Sequence, residues 1–283
     1  MVSKTKSILL KRPAAAFKNQ QFCDKSFSTC GWLGSPDYEK SIKEYEVFER
    51  IIKENVEDVY FLPEAEGPEL DSIYAHDSFK ITSRGAIYFT MGKKSRKAEP
   101  AAAKAYLESI GIPTLGQIEA PGTVEGGDVL WLDEKTAAIG RSYRTNDEGI
   151  RQFSEIVKGF IDVIPVPIPY ADGPDHILHL MSLISPVDTN LAAVYLKYMP
   201  VFFVEMLQER GVELIDTDDD EYDILGTNVL ALAPRKCVML SGSPKMKAKL
   251  IKAGAEVLEY DGPNISILGT GGATCFTAPL YRE

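Results

Sequence analysis

Apolar positions along the chain come in short runs broken by charged turns, and one arrangement of runs recurs. The stretches "DSFKITSRGAIYFTMG" from Asp77, "GDVLWLDEKTAAIGRS" from Gly127 and "TNVLALAPRKCVMLSGS" from Thr227 share it. Each opens on a polar residue, continues as an alternating or apolar run, turns on charged residues, and ends a second apolar run at Gly or Ser. That pattern predicts a two-stranded hairpin. A stretch with helical spacing follows each hairpin, over Glu99–Ser109, Asp147–Gly159 and Lys245–Ala253. A further strand follows each helix: "GIPTLGQIE", "DVIPVPI" and "GAEVLEY". A fourth copy begins with His179 at the head of the strand "HLMSLISPVDTNLAAVYL". Its helix lies around Val201–Arg210 and its closing strand is "GVELIDT".

The polar openers fall at Asp77, Asp128, His179 and Asn228, and one further step lands on Cys275; the steps are 51, 51, 49 and 47 residues. The fifth unit is then split between the chain ends. "CFTAPL" supplies its first strand, "SILLKRP" its second, "PDYEKSIKEYEVFERIIKE" its helix and "VEDVYFLP" its last strand. Such a chain predicts an α/β fold: a five-bladed ββαβ propeller with pseudo-fivefold symmetry, closed by pairing of the N- and C-terminal strands. Residues 1–283 read as one catalytic domain. In a ring of this kind the five openers face a central cavity.

Composition narrows the partners. Apolar residues make up 45% of the chain, enough for a sizeable core. A net charge of −10 argues against nucleic acid or an anionic membrane as the main partner, since both are met by basic patches. It is compatible with a small cationic ligand. Cys23, Cys30, Cys237 and Cys275 form no CxxC pair, and the histidines are His76, His176 and His179, so neither a closed zinc site nor a disulfide framework is expected. No run approaches the length of a membrane span, and the N-terminal "MVSKTKSILLKRPAAAF" lacks the form of a signal peptide. A cytoplasmic protein is expected.

Several segments carry candidate chemistry. In "TVEGGDVLW", Glu125 precedes a diglycine that either lets the backbone approach a ligand or simply forms a tight turn. Asp71 and Asp77 in "DSIYAHDSF" would share one face of an extended strand, where two carboxylates suit a planar guanidinium, or else sit in an exposed acidic loop. His179, three residues after His176, is either a satisfied core histidine or a proton carrier. Cys275 in "GGATCF" is either a small buried hydrophobe or a nucleophile activated by glycine-loop N–H groups. That His179 and Cys275 fall at the same repeat position favours the catalytic reading of both. The acidic run at Asp216–Asp223 reads as a solvated loop, with the cavity mouth as its alternative place.

The segments "EGGDVLWLDEKTAAIGRSYRTNDEG", "LHLMS" and "GGATCFTAPL" resemble those of the dimethylarginine dimethylaminohydrolases. These belong to the pentein, or guanidino-group-modifying, superfamily with the arginine deiminases and amidinotransferases. The resemblance runs from about Ser7 to the C-terminus. It implies the five-bladed fold, no metal and no organic cofactor. It implies that Cys275 attacks a guanidinium carbon to give a covalent S-alkylthiouronium, with His179 moving protons to the departing amine and from the attacking water. Asp77 and Glu125 match the carboxylates that hold the guanidinium, with Glu125 beside Cys275 and His179 in the catalytic set. Asp71 matches a further acid of the pocket, Arg144 the arginine that pairs with the substrate α-carboxylate, and Arg96 a second arginine of that kind. Two departures stand out. Many members read Glu-Asp where this chain has His76-Asp77, and arginine deiminases read H-L-D where this chain has Met181. An apolar residue there suits a methylated guanidine.

The function expected is hydrolysis of an Nω-methylated arginine to citrulline and an alkylamine. Arginine deiminase-like hydrolysis or amidino transfer on another guanidine is the alternative, and a non-enzymatic binding protein on the same ring is the distant one. The partner expected is a small guanidino substrate such as methylarginine or arginine. A homodimer is compatible with the family.

Overall fold

The computed structural model describes residues 2–171, 173 and 178–283. β1 (Thr5–Leu10) and β2 (Asp58–Phe61) are followed by β3 (Phe79–Thr82), β4 (Gly85–Tyr88) and β5 (Thr114–Gln117). Next come β6 (Val129–Trp131), β7 (Thr136–Arg141) and β8 (Asp162–Pro167), then β9 (Ile184–Asp188), β10 (Leu191–Val194) and β11 (Glu213–Asp216). β12 (Val229–Ala233), β13 (Lys236–Leu240), β14 (Glu256–Tyr260) and β15 (Ala278–Arg282) complete the chain. They form five three-stranded sheets: β3–β4–β5, β6–β7–β8, β9–β10–β11, β12–β13–β14 and β15–β1–β2. In every sheet the middle strand runs antiparallel to the first and parallel to the third. A hairpin can make the first pairing, whereas the second needs a crossover, which a helix supplies in each blade. The terminal strands pair as expected, from Thr5 opposite Arg282 to Leu9 opposite Ala278.

The middle strands explain why the ring closes. Each is almost wholly buried, and its alternate residues enter two different apolar clusters. Ala86 and Tyr88 pack with Leu9, Phe79 and Leu107, while Ile87 packs with Val129, Ala137 and Phe153. Ala138 joins Ala192, Val194 and Phe203. Leu191 and Ala193 join Val229, Cys237 and Met239. Val238 and Leu240 join Ile8, Leu10 and Phe48, which returns to the first blade. Five sheets thus share five cores, each lying between two neighbours, so no blade can bury its apolar faces alone.

The helices of the blades span Tyr38–Asn55, Glu99–Ser109, Asp147–Ile156, Val201–Glu209 and Pro244–Lys252. The third and fourth end before the sequence-based limits of Gly159 and Arg210, and the fifth starts and ends one residue earlier than expected. The reason is a turn just past the helix: Gly159, Gly211 and Gly254 hold φ of +85°, +76° and +84°, a left-handed conformation that stops the helix at little cost only for glycine. Two further expectations change. His179 does not head a strand, because Leu180–Leu183 forms a helical turn before β9 begins. Asp71 is not on an extended strand either. It lies in the 3-10 turn Leu70–Ile73, so shared strand facing does not bring it near Asp77. Among the described residues, no helix is long and apolar enough to cross a membrane.

Candidate active site

Buried backbone N–H groups need partners, and at one end of the ring four side chains each supply one to the next blade. Asp77 Oδ1 accepts from Gly127 N at 2.8 Å. Asp128 Oδ1 accepts from Leu180 N at 2.9 Å, Ser185 Oγ from Val229 N at 3.2 Å, and Asn228 Oδ1 from Thr274 N at 3.0 Å. His76 closes the circuit: its backbone N donates to Cys275 O at 3.2 Å and its Nδ1 lies 2.9 Å from Thr277 O. Of the five openers expected to face a central cavity, Asp77, His179, Asn228 and Cys275 line it and the fully buried Asp128 does not; Asp77, Asp128 and Asn228 act as latches. At the fourth blade Ser185 takes the latch, which leaves the His179 ring to other partners.

The circuit encloses a cavity of about 170 Å³ whose lining includes Asp71, Asp77, His179, Met181, Asn228 and Cys275. The diglycines make room for it. A Cβ on Gly127 would lie 2.5 Å from His179 Nδ1, and one on Gly272 would lie 2.7 Å from the Asn228 side chain. The glycines before Cys275 thus let Asn228 close over the loop that carries the thiol.

Cys23, Cys30 and Cys237 are buried, whereas Cys275 is part-exposed in the cavity. Asn228 Nδ2 donates to its Sγ at 3.3 Å. Burial, with Asp77 adding to it, pushes the thiol up to about 11, against the opposing pull of Asn228, the Gly272 backbone and Arg96. The resting group is a thiol, and a cation seated beside it would favour the thiolate. His179 Nε2 lies 2.9 Å from Glu125 Oε2. Burial alone would lower this imidazole, but Asp128, Glu125 and Asp77 outweigh it and hold its pKa above the ordinary value. Glu125 is held low despite its burial by His179, Arg144 and Arg96.

The remaining site residues divide. Arg144 reaches Glu125 from 3.4 Å and faces the cavity with donors to spare. Arg96 does not fit the expectation of an arginine waiting for a substrate carboxylate. Its Nε and one terminal nitrogen bind both oxygens of Glu99 at 2.8 and 2.7 Å; the same terminal nitrogen donates to Tyr74 O, and the other to Asp77 Oδ2. A buried guanidinium needs such partners, and those it has take up most of its donors. Asp71 faces the cavity but already accepts from Trp32 Nε1 at 2.9 Å and Lys93 Nζ at 2.7 Å. Asp77 is depressed by Arg96 and His179 in spite of its burial. His76 stands at the cavity, with Met181 Sδ and Lys80 Nζ both on its Nε2, at 3.3 and 2.6 Å.

The acidic run is only partly the solvated loop expected. Asp218, Asp219 and Asp220 make exposed ion pairs with Lys249, Lys197 and Lys245. Glu221 is buried and accepts from the N–H groups of Lys245 and Met246, both at 2.7 Å, while Tyr222 and Asp223 line the cavity. His176 lies outside the described residues. Sequence reasoning gave no role to Asn228, Lys93 or Lys80. Only Asn228 left a signal, as an opener of the repeat.

Known proteins share this fold. The family model described as N,N dimethylarginine dimethylhydrolase, eukaryotic, matches residues 33–282. The N(G),N(G)-dimethylarginine dimethylaminohydrolase of Pseudomonas aeruginosa is 28% identical over 252 residues, covering 88% of this chain and 92% of that protein. A structure of the Pseudomonas aeruginosa enzyme, a cysteine-to-serine mutant complexed with citrulline, superposes with a TM-score of 0.79 at 25% identity, covering 97% of this chain and 99% of the other. The N-terminal domain of ArgZ, a cyanobacterial arginine dihydrolase, superposes with a TM-score of 0.83 at 17% identity over 99% of this chain and 98% of the other, a likeness of fold alone. Both the sequence match over nearly the whole chain and the five-bladed architecture lead to one conclusion: this chain belongs to the N,N-dimethylarginine dimethylhydrolase family of the pentein superfamily.

Proposed function

We propose that the protein hydrolyses the guanidino C–N bond of an Nω-methylated arginine, giving citrulline and an alkylamine, with residues 1–283 acting as one catalytic unit. The observation that carries this reading is that His179, hydrogen-bonded to the buried Glu125, lines the same cavity as the Cys275 thiol. A guanidinium docks against Asp77, which lines the cavity, and its positive charge favours the Cys275 thiolate; Glu125, expected to hold the guanidinium as well, is fully buried outside the lining and acts through His179 instead. The sulfur adds to the guanidinium carbon. His179, whose protonated form Asp128 and Glu125 favour, gives its proton to the methylated nitrogen, and the C–N bond breaks to release the amine. The S-alkylthiouronium remains on Cys275. Water then gives a proton to His179 and adds to the same carbon, the C–S bond breaks, and a ureido product leaves with the thiolate restored. Arg144, facing the cavity beside Glu125, is the residue for the substrate α-carboxylate. Met181 favours a methylated guanidine over arginine, because its thioether lines the cavity where an acid would otherwise hold a bare guanidinium. The free thiols of Cys23, Cys30, Cys237 and Cys275 support a reducing, cytoplasmic setting.

The test is citrulline formation from arginine, monomethylarginine and asymmetric dimethylarginine by the wild type and by Cys275→Ser. Turnover of the methylated substrates that disappears in the serine variant is expected. A kcat/KM for arginine far above that for both methylated forms would overturn the substrate assignment.

A further inference from the structure

The cavity's carboxylates do not stand alone. Asp71 is matched by Lys93, Asp77 by Arg96, and Glu125 by His179 and Arg144. Lys80 has no such carboxylate partner. It lies on β3, 8% exposed, and among the described residues its one hydrogen-bond partner is His76 Nε2 at 2.6 Å. His76 is itself constrained. Thr277 O can only accept, so His76 Nδ1 carries the proton of that 2.9 Å bond, and Nε2 is left to accept from Lys80. The ring of His76 lines the cavity and Lys80 sits directly behind it. A cation is thus buried one imidazole away from the place where the proposed function seats a second cation.

We propose that Lys80 is a proton valve behind the guanidinium seat: it holds a proton when the cavity is empty and gives that proton to the solvent when a guanidinium binds. The inference rests on the proposed function, since it takes a guanidinium as the ligand. Two cations so close in a water-poor site repel, and lysine, unlike arginine, can relieve this by losing a proton. The groups facing Lys80 agree with that role. Burial, helped by Arg282 on β15, pushes its pKa down to about 7 against the opposing pull of Asp77 and Cys275. On β4, its register partner is the apolar Ile87. His76 carries no charge to help, as burial and Lys80 itself depress it to about 3. The sign follows: where Lys80 is protonated in the free enzyme, binding must expel a proton, so affinity falls as pH drops below that pKa and levels off above it.

The experiment is calorimetric titration in a Cys275→Ser background, which prevents turnover and removes the thiol's own proton. The probes are asymmetric dimethylarginine, a cation, and citrulline, its neutral counterpart, in buffers of differing ionisation enthalpy from about pH 6 to about pH 9. Dimethylarginine should release a proton on binding and lose affinity about tenfold per pH unit below about 7, whereas citrulline should do neither. Glu99, raised to about 7, titrates in this window, and His179 is raised above its ordinary value, but both remain in every variant. Lys80→Met should abolish the Lys80-linked proton and flatten the dimethylarginine profile. Lys80→Arg, which cannot shed its charge, should weaken dimethylarginine at every pH and spare citrulline. Dimethylarginine that binds with the same proton release in Lys80→Met, or Lys80→Arg that binds it as tightly as the parent, would overturn the valve while leaving the proposed function intact. Failure of both probes to bind at any pH would overturn the two together.

Discussion

Glu125→Gln is the substitution that most sharply probes how the site makes a proton donor of His179. The change keeps the shape of a side chain that is fully buried and removes one charge. Its oxygens now receive His179 Nε2 and Lys93 N, each at 2.9 Å, and Arg144 at 3.4 Å. A glutamine oxygen can still accept from Lys93, but its NH2 group would then face His179 Nε2 and donate to it. The imidazolium would lose its acceptor and meet a donor. A hydrogen bond to a charged group contributes about 1.5–3 kcal/mol, so the His179 pKa should fall. Asp128 and Asp77 remain to hold the ring, so the fall should be partial. His179 should then hold its proton less readily, and loss of positioned general-acid help should cost roughly 100-fold or more in kcat. The assays are the pH–rate profile for dimethylarginine and an NMR titration of the His179 ring, with circular dichroism as a control for folding. An unchanged His179 titration, or a variant as active as wild type near pH 8, would refute the reasoning.

Other consequences are equally direct. Asn228→Asp replaces the donor to Sγ with an anion, so alkylation of Cys275 by iodoacetamide should need higher pH and be slower at pH 8; faster alkylation would contradict the latch geometry. Ile139→Ala removes a fully buried side chain from the core shared by two blades and should cost about 2–5 kcal/mol in urea denaturation; a loss near zero would mean that this core is not the joint. A circular permutant that links Glu283 to the N-terminus and opens between Ser83 and Arg84 should fold with nearly the parent Tm, because Glu283 N already donates to Lys4 O at 2.9 Å. Lys80→Met should raise stability most below about pH 7 and progressively less towards pH 10, since a lysine whose pKa is depressed in the fold destabilises it wherever the unfolded chain stays protonated. A gain that grows with pH would have the wrong sign.

The ring was legible because each blade repeats one alternation of apolar residues, and because Asp77, Asp128, His179, Asn228 and Cys275 recur at steps of 47 to 51 residues. The alternation matters physically, since it sends neighbouring residues of each middle strand into different cores. The helical turn at Leu180–Leu183 was hidden because "HLMSLI" is apolar throughout and fits either element. Arg96 was misjudged for a related reason: position alone does not reveal that Glu99, one turn on, will claim its guanidinium. The pairing of His76 with Lys80 depends on which way two side chains four residues apart turn at the mouth of a strand, which no periodicity encodes. The latch circuit was half visible: Asp77, Asp128 and Asn228 stood out as openers, but Ser185 did not, and the bonds run to the next blade.

The central claim is that Cys275 takes the guanidinium carbon and that the methylated nitrogen is the one that leaves. Acid quenching during steady-state turnover, followed by peptide mass spectrometry, tests it most directly. Monomethylarginine and asymmetric dimethylarginine should give one and the same added mass on the peptide bearing Cys275, because the nitrogen with its methyl groups has already departed. Adducts that differ by the methyl groups, or an adduct on any other cysteine, would contradict the account.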